Sequence, residues 1–419
     1  MAEEIFRPDT AAQVADLIAW AAAEGRPLAV RGRGSKAGLG RPVNATAVLD
    51  LSGLNGITLY EPEELVLAAG AGTPLAAVEA ALADQGQALA FEPPDLGPLL
   101  GGEAGQDSLR QDSLGQDSLG QDSLGQASLG GTIACNLAGP RRIAAGALRD
   151  HLLGFHGVTG RGESFKSGGR VVKNVTGYDL SKLVAGSYGT LAVLTDATVK
   201  VLPAPEATRT VVLPDLDAAA AVRAMTRALH SVHAVSGAAH LPPGLGDGGG
   251  AMTVLRIEGA PAAAVYRAEA LAAELADVAL PTIHEDAASL TLWRRIRDVA
   301  PFVGLQGEAV WRLSVPPADG AAVVARLGAA LPAARWFLDW GGGLIWLSVP
   351  QGRDAQQESV RAALTPCGGH ALLIKAEGPV RAAVAVFQPQ EPGLAAVSAR
   401  VKDAFDPRGI LNPGRMVAA

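Results

Sequence analysis

Cysteine is nearly absent from this chain of 419 residues: Cys135 and Cys367 are its two thiols, far apart in sequence. Two thiols build neither a disulfide framework nor, alone, a four-thiolate zinc or iron–sulfur site. The scarcity suits a reducing cytoplasm, the expected location. Long apolar runs are missing too. Ala-rich stretches such as Ala260 to Leu280 are interrupted by Arg267, Glu269 and Glu274, so no window reaches the roughly 18 residues of a membrane span and no direct membrane insertion is expected. The N-terminal MAEEIFRPDTAAQVADLIAWAAAEG carries acids where a targeting segment needs bases, and its apolar residues keep helical spacing. Basic runs are lacking as well. The formal charge is −7, of which about −3 comes from Asp107, Asp112, Asp117 and Asp122 set against Arg110, and nucleic acid is not an expected partner.

What is present is apolar material, 48% of the residues, in a chain long enough for two domains. From Asp9 the pattern is a capped amphipathic helix (Val14, Leu17, Ile18, Ala21) stopped by Gly25, then the strand PLAV, the loop RGRGSKAGLG and a second strand, VLDLS. LVLAAGAG reads as a strand, with Thr73 and Pro74 as N-cap and first turn of a helix ending near Gly86. Strands follow near Leu152 to Val158 and in VLTDATVKVLP, and PAPEA marks a boundary. The second half alternates strand and helix on one small sheet, in the manner of ferredoxin-like folds. The expectation is α+β: an N-terminal domain over residues 1–205 with a low-complexity insertion at 105–126, a ferredoxin-like cap over 206–392, and a helix and tail over 393–419 returning to the first domain.

The loop VRGRGSKAGLG follows a strand, and its closely spaced glycines let backbone N–H groups converge on an anion. Gly32, Gly34 and Gly38 are spaced G-x-G-x-x-x-G and lead on to Pro42 and another strand, which disfavours the Rossmann fingerprint; the order of a Walker loop is absent. A loop between strands remains, with Arg31, Arg33, Ser35 and Lys36 placed for a pyrophosphate, or else an ordinary basic turn.

Four further segments stand in order after it: QASLGGTIACNLAGPRR, GALRDHLLG, VVKNVTGYDLSKLVAGSYGTLAVLTDATVKVLP and FDPRGILNPGR. Together the five resemble the FAD-binding domain of the vanillyl-alcohol oxidase and p-cresol methylhydroxylase type, in the branch of glycolate oxidase FAD-binding subunits. The resemblance is dense over residues 1–205, good in the tail and thin in the cap. It implies FAD as cofactor, with its pyrophosphate held by Arg31, Gly32, Arg33, Gly34, Ser35, Lys36 and Gly38. It implies that the turn Ser128, Leu129, Gly130 and Gly131 passes close to the flavin, that Gly189, Thr190 and Val193 lie by the adenine end, and that Asn412 reaches back from the tail. Lys173, Asn174, Tyr178 and Asp179 would share that wall or be structural. Some relatives attach FAD through a histidine at the position where Ser35 and Lys36 stand, so the FAD here is expected to be non-covalent.

The implied activity is oxidation of a small 2-hydroxy acid, glycolate to glyoxylate, in a complex with a second flavoprotein subunit and an iron–sulfur subunit, peripheral to the inner membrane through those partners. A base and a carboxylate-holding cation are then required. Arg312, on a strand between Trp311 and Leu313, is a candidate clamp or an exposed strand arginine, and Asp339 a candidate base. His230, His233 and His240 lack the accompanying residues of the family's metal motif and are read as surface or core, so no metal is expected. The alternatives are a stand-alone FAD-dependent oxidase or dehydrogenase and a flavin-less scaffold.

The most conspicuous stretch is QDSLR, QDSLG, QDSLG, QDSLG, QASLG, from Gln106 to Gly130. A leucine every five residues builds no apolar face on a helix or a strand, so a weakly ordered loop is expected. The last unit, with Ala127 for Asp and Gly131 following, matches the turn that the resemblance places beside the flavin; the upstream copies read as duplications of it.

Overall fold

The computed structural model describes residues 4–101, 126–170, 177–246 and 248–418. The repeat up to Gly125, and Lys173 and Asn174, lie outside them. The chain divides into two compact units: Met1–Ala138 with Ala147–Ala204 and Pro389–Ala419, and Gly139–Gly146 with Pro205–Gln388.

The first unit opens with the strand Glu4–Phe6 and the helix Ala11–Ala23, where the Thr10 side chain accepts the N–H of Gln13 and Val14, Ile18 and Ala21 are fully buried at i, i+4, i+7 spacing. That helix covers a parallel sheet in the order Glu4–Phe6, Ala47–Asp50, Leu28–Arg31. The tail returns to its edge: Leu411 bridges to Leu28 in parallel, Leu28 N–H donates to Ile410 at 2.8 Å and Asn412 N–H to Leu28 at 3.0 Å. A second, antiparallel sheet runs Ile57–Glu61, Val66–Gly70, Ala192–Lys200, Leu152–Thr159, Ser164–Gly168, and packs its apolar face on the helices Leu75–Ala83 and Leu129–Cys135. Pro74, rather than Thr73, caps Leu75–Ala83; the Thr73 hydroxyl is committed to the backbone of Gly56 instead.

The second unit is one eight-stranded sheet among the described residues, and it contains the ferredoxin-like pattern twice. Strand, helix, strand, strand, helix, strand runs from Ala207–Pro214 through Ala218–Leu229, Val235–Leu241, Met252–Gly259 and Pro261–Leu275 to Thr282–Glu285. The same order recurs from Glu308–Ser314 through Gly320–Ala330, Arg335–Asp339, Leu344–Pro350 and Gln357–Leu364 to His370–Lys375. The halves join where His240 pairs with Leu338. Period-two alternation sorts the faces: Trp311, Leu313, Leu338, Ile345 and Leu347 face the helix-side core. Arg312, Trp346 and Phe337 form one row on the other face, with Ser314, Leu344 and Asp339 the next row along.

Candidate functional site

The strand Leu28–Arg31 delivers the glycine loop at the end of the parallel sheet. Gly34, at φ +85°, takes a left-handed conformation that a side chain would strain, and the loop then turns on Ala37 N–H to Gly34 and Leu39 N–H to Lys36, both 3.0 Å. Arg33 is buried, its Nε donating to the Gly72 carbonyl at 3.1 Å. Asp50, wholly buried, faces Arg7 at 3.3 Å and Arg31 at 3.7 Å. It thereby fixes the Arg31 side chain.

Opposite lies the helix Leu129–Cys135. Ser128 is its N-cap, with Oγ accepting the N–H of Gly131 at 3.3 Å, and Asn136 ends it at φ +48°. Its start is sewn to the segment before Leu75–Ala83: Leu129 N–H donates to Thr73 at 3.0 Å, Gly130 N–H to Ala71 at 2.9 Å, and Leu75 N–H to Ala127 at 2.8 Å. The turn Ser187–Gly189 closes a third wall, with Tyr188 N–H on the Ala134 carbonyl at 2.8 Å. The tail supplies a fourth. Asn412 Oδ1 accepts the Val30 N–H at 2.8 Å and its Nδ2 donates to Tyr188 at 2.8 Å, so one amide ties the glycine loop to the Tyr188 turn. Arg415 donates to the carbonyls of Ala37 and Leu39 at 3.1 and 2.7 Å.

These walls surround a cavity of about 220 Å³ that opens to solvent at its mouth. Arg31, Gly32, Arg33, Gly34, Ser35, Lys36, Ser128, Gly130, Gly131, Gly189, Val193 and Asn412 line it together. Three other expected residues do not. Leu129 is fully buried in the core beneath the helix, Gly38 packs toward Leu100, and Thr190 bonds back to Ser187 at 2.7 Å. Tyr178 is 90% exposed, and Asp179 caps the short helix Leu180–Val184. Sequence reasoning did not single out Ala134, Cys135, Ser187, Tyr188 or Arg415, which also line the cavity. Burial pushes the Cys135 thiol up to about 11, against the opposing pull of Lys36 and Arg415, so it stays protonated at neutral pH. Burial lowers the Lys36 pKa, with Cys135 and Asp95 opposing.

The cavity suits a ligand with both an anionic and a flat part. Arg31 Nε and Ser187 Oγ are buried without a hydrogen-bond partner among the described residues, and both belong to cavity-lining residues. Such groups stay costly until a polar ligand meets them. Two of the glycines are tightly enclosed: a Cβ on Gly32 would sit 2.2 Å from Ser128 Oγ, and one on Gly189 2.9 Å from Asn412 Nδ2. Backbone approach to a planar ring fits that geometry.

In the second unit, Trp311 and Leu313 enter the helix-side core while Arg312 lies on the opposite face with its guanidinium 4.9 Å from the Trp340 ring centre. Asp339 is buried and its Oδ1 accepts the Trp340 N–H at 2.7 Å. The three histidines are dispersed: His230 bonds the Thr226 carbonyl, His233 bonds Glu274 and His240 bonds Thr253. Among the described residues no three His, Cys, Asp or Glu side chains gather as a metal site, and no helix is long and apolar enough to cross a membrane.

A glycine-lined cleft with guanidinium groups along one wall lies between a parallel and an antiparallel sheet, and the family matches make the protein FAD-binding. Residues 2–120 match the FAD binding domain family and residues 386–416 the C-terminal domain of FAD linked oxidases. The glycolate oxidase subunit GlcE of Escherichia coli K12 is 34% identical over 94% of this chain and 93% of its own length. The glycolate oxidase subunit GlcD of Bacillus subtilis is 40% identical over a shorter stretch, 22% of this chain and 20% of its own. Among solved structures, an alkyldihydroxyacetonephosphate synthase shares the fold with a TM-score of 0.65 at 16% identity, over 98% of this chain and 75% of that one. The chain belongs to the vanillyl-alcohol-oxidase-type FAD-linked oxidoreductases acting on CH–OH groups, in the branch of glycolate oxidase FAD-binding subunits.

Proposed function

We propose that the chain is the non-covalent FAD-binding subunit of a complex that oxidises glycolate to glyoxylate and passes the electrons to a second flavoprotein subunit and an iron–sulfur subunit. The observation that carries this reading is similarity to a glycolate oxidase subunit along nearly the whole of both chains. Bound FAD supplies a two-electron acceptor for the hydride of an alcohol carbon. The chain supplies position and charge. Arg31, Gly32, Arg33, Gly34, Ser35 and Lys36 hold the diphosphate, Ser128, Gly130 and Gly131 let the backbone approach the ring, and Gly189, Val193 and Asn412 close the far side. Leu129, Thr190 and Gly38 support that frame from behind. Glycolate loses its hydroxyl proton, in this reading to Asp339, and its α-hydride; Arg312 holds its carboxylate. Two cysteines cannot by themselves ligate a cluster, so the electron pair leaves through oxygen or a partner, and similarity to a glycolate oxidase subunit favours the partner. Attachment of these subunits would also bring the chain to the inner face of the membrane without a span of its own.

Anaerobic mixing of the purified chain with glycolate, alone and with the two partner subunits, tests this. A yellow protein whose glycolate-dependent dye reduction requires the partners is the expected result. Full turnover of glycolate or D-lactate by the chain alone would instead make it a stand-alone dehydrogenase or oxidase, and a colourless chain that takes up no added FAD would leave only a scaffold.

A further inference from the structure

We infer that Asp50 is a positioning residue for the FAD diphosphate: it holds the Arg31 guanidinium at the cavity wall, with Arg7 as a second cation on the same carboxylate. The inference rests on the reading of Arg31 as a diphosphate ligand and goes one step behind it, to two residues outside the cavity lining. It starts from the register of the parallel sheet. Phe6 pairs with Leu49 and Arg31 with Asp50, so Arg7, Asp50 and Arg31 stand side by side where the three strands end. Period two sorts the rest of those strands: Leu28, Ala47 and Leu49 enter the core under the helix Ala11–Ala23, whereas Ala29, Arg31 and Val48 line the cavity. Asp50 continues the row of Val48. An apolar side chain would be buried there at less cost, so a charge at that position calls for a use.

The carboxylate is fully buried, and each of its oxygens has a task. Oδ1 accepts the Ser52 N–H at 3.0 Å, which starts the turn Leu51–Gly53; Oδ2 accepts from Arg7 Nη2 at 3.3 Å and stands 3.7 Å from Arg31 Nη2. With Oδ1 tied to the backbone the carboxyl plane cannot turn, and the charge on Oδ2 is aimed at a fixed point. Arg31 is thereby held by one corner of its fork. Its Nε is buried with no hydrogen-bond partner among the described residues, in a residue that lines the cavity. A guanidinium stays charged at any pH the protein meets, and the donor it has left serves an oxyanion arriving in the cavity. Asp50 also repels a diphosphate, and this works against it. Positioning outweighs the repulsion, because without the carboxylate Arg7 and Arg31 repel each other and both have a way out: their side chains are 57% and 30% exposed. Arg31 then turns to water and must be reordered each time the cofactor binds.

The test uses the full chain freed of FAD and titrated calorimetrically with FAD and with ADP, which carries the diphosphate without the flavin. Asp50→Asn keeps an oxygen for the Ser52 N–H and removes only the charge. The expected result is a Kd raised at least fivefold for both ligands in Asp50→Asn and in Arg31→Met, with no further rise when Asp50→Asn is added to Arg31→Met. Unchanged or tighter binding in Asp50→Asn overturns the inference, and so does the same fold-loss from Asp50→Asn in the Arg31→Met chain, since a carboxylate that merely braces the sheet acts whether or not the guanidinium is there. Should Asp50→Asn fail to fold, Arg7→Met decides. It leaves the carboxylate to Arg31 alone, so an ADP Kd no higher than in the unaltered chain is expected; a fivefold rise would mean that the row acts by its summed charge, and positioning falls. Arg31→Met without effect on either ligand removes Arg31 from the diphosphate and both readings fall together, whereas loss in Arg31→Met beside none in Asp50→Asn leaves the diphosphate ligand standing and overturns only the role of Asp50.

Discussion

Gly130 has no space for a side chain. A Cβ there would lie 2.8 Å from the Ala71 Cβ and 2.9 Å from the Ala71 carbonyl, and that carbonyl accepts the Gly130 N–H, so the two backbones have no direction in which to part. Gly130→Val is expected to yield protein without bound FAD, measured as the flavin-to-protein absorbance ratio. Gly131→Ala meets only Ser128 Oγ, at 3.0 Å, a rotatable hydroxyl, and is expected to keep most of its FAD. Equal FAD content in unaltered protein and Gly130→Val would remove the turn from the cofactor site. At this scale much of the cavity lining coincides with residues picked out in the sequence, because five segments in order carry the resemblance; the loop with Arg31, Arg33 and Lys36 taken alone read equally as an ordinary basic turn. What was hidden are Ser187, Tyr188 and Cys135, which carry no local signal and reach the cavity because Tyr188 N–H finds Ala134 across the fold. Leu129 shows the opposite error in resolution. It shares the turn's sequence, yet the Ser128 cap starts a helix that aims its side chain into the core.

Among elements, the tail is a clip. Asp406 accepts the N–H groups of Ile410 and Leu411 at 3.1 and 2.8 Å and the Lys402 amine, which fixes the turn out of Pro392–Phe405. Asn412 and Arg415 then grip the glycine loop from one side. Arg415→Ala removes two hydrogen bonds from a charged donor, each worth roughly 1.5–3 kcal/mol when intact. Because Arg415 is partly exposed, about a tenfold rise in the FAD dissociation constant is expected, read by equilibrium dialysis of the cofactor. Removal of Gln106 to Gly125 is expected to leave that constant unchanged, since the unit that enters the helix is the last one, at Ser128 to Gly131. A large loss on removing the repeat, with none for Arg415→Ala, would reverse the roles assigned to them. The helices were legible as elements because capping residues and apolar spacing are local: Asp217 caps Ala218–Leu229, whose Ala221, Met225 and Ala228 are buried as its pattern requires. The duplication in the second unit was not. Strand order in a sheet is set by pairing between distant segments, and nothing in the spacing of one strand names its neighbour.

For the molecule as a whole, acid acts on the second unit through one buried imidazole, that of His240. His240 is buried on the helix side of the large sheet, its Nδ1 2.9 Å from Thr253 Oγ1 and its ring 6.0 Å from Trp336. Burial lowers its pKa to about 4, against the pull of Asp217. The unfolded imidazole titrates near 6.5. Above that pH both states are neutral and His240 contributes no pH dependence; between about 6.5 and 4 the unfolded chain takes up a proton that the folded one refuses, so stability falls as pH falls. Below about 4 both are protonated and this loss stops. Its full size is about 3 kcal/mol at 1.36 kcal/mol per pH unit, a substantial part of a domain's stability. The two units can be followed separately in one sample. Trp293, Trp311, Trp336, Trp340 and Trp346 belong to the second unit and Trp20 to the first, while flavin fluorescence reports the cofactor cavity of the first. Urea midpoints from tryptophan fluorescence are expected to fall more steeply between pH 6.5 and 4 in the unaltered chain than in His240→Gln, whereas flavin release keeps the same pH dependence in both. Parallel tryptophan slopes in the two proteins would show that His240 is protonated in the folded state, and the neutral, desolvated imidazole at the junction of the two half-sheets would have to be given up.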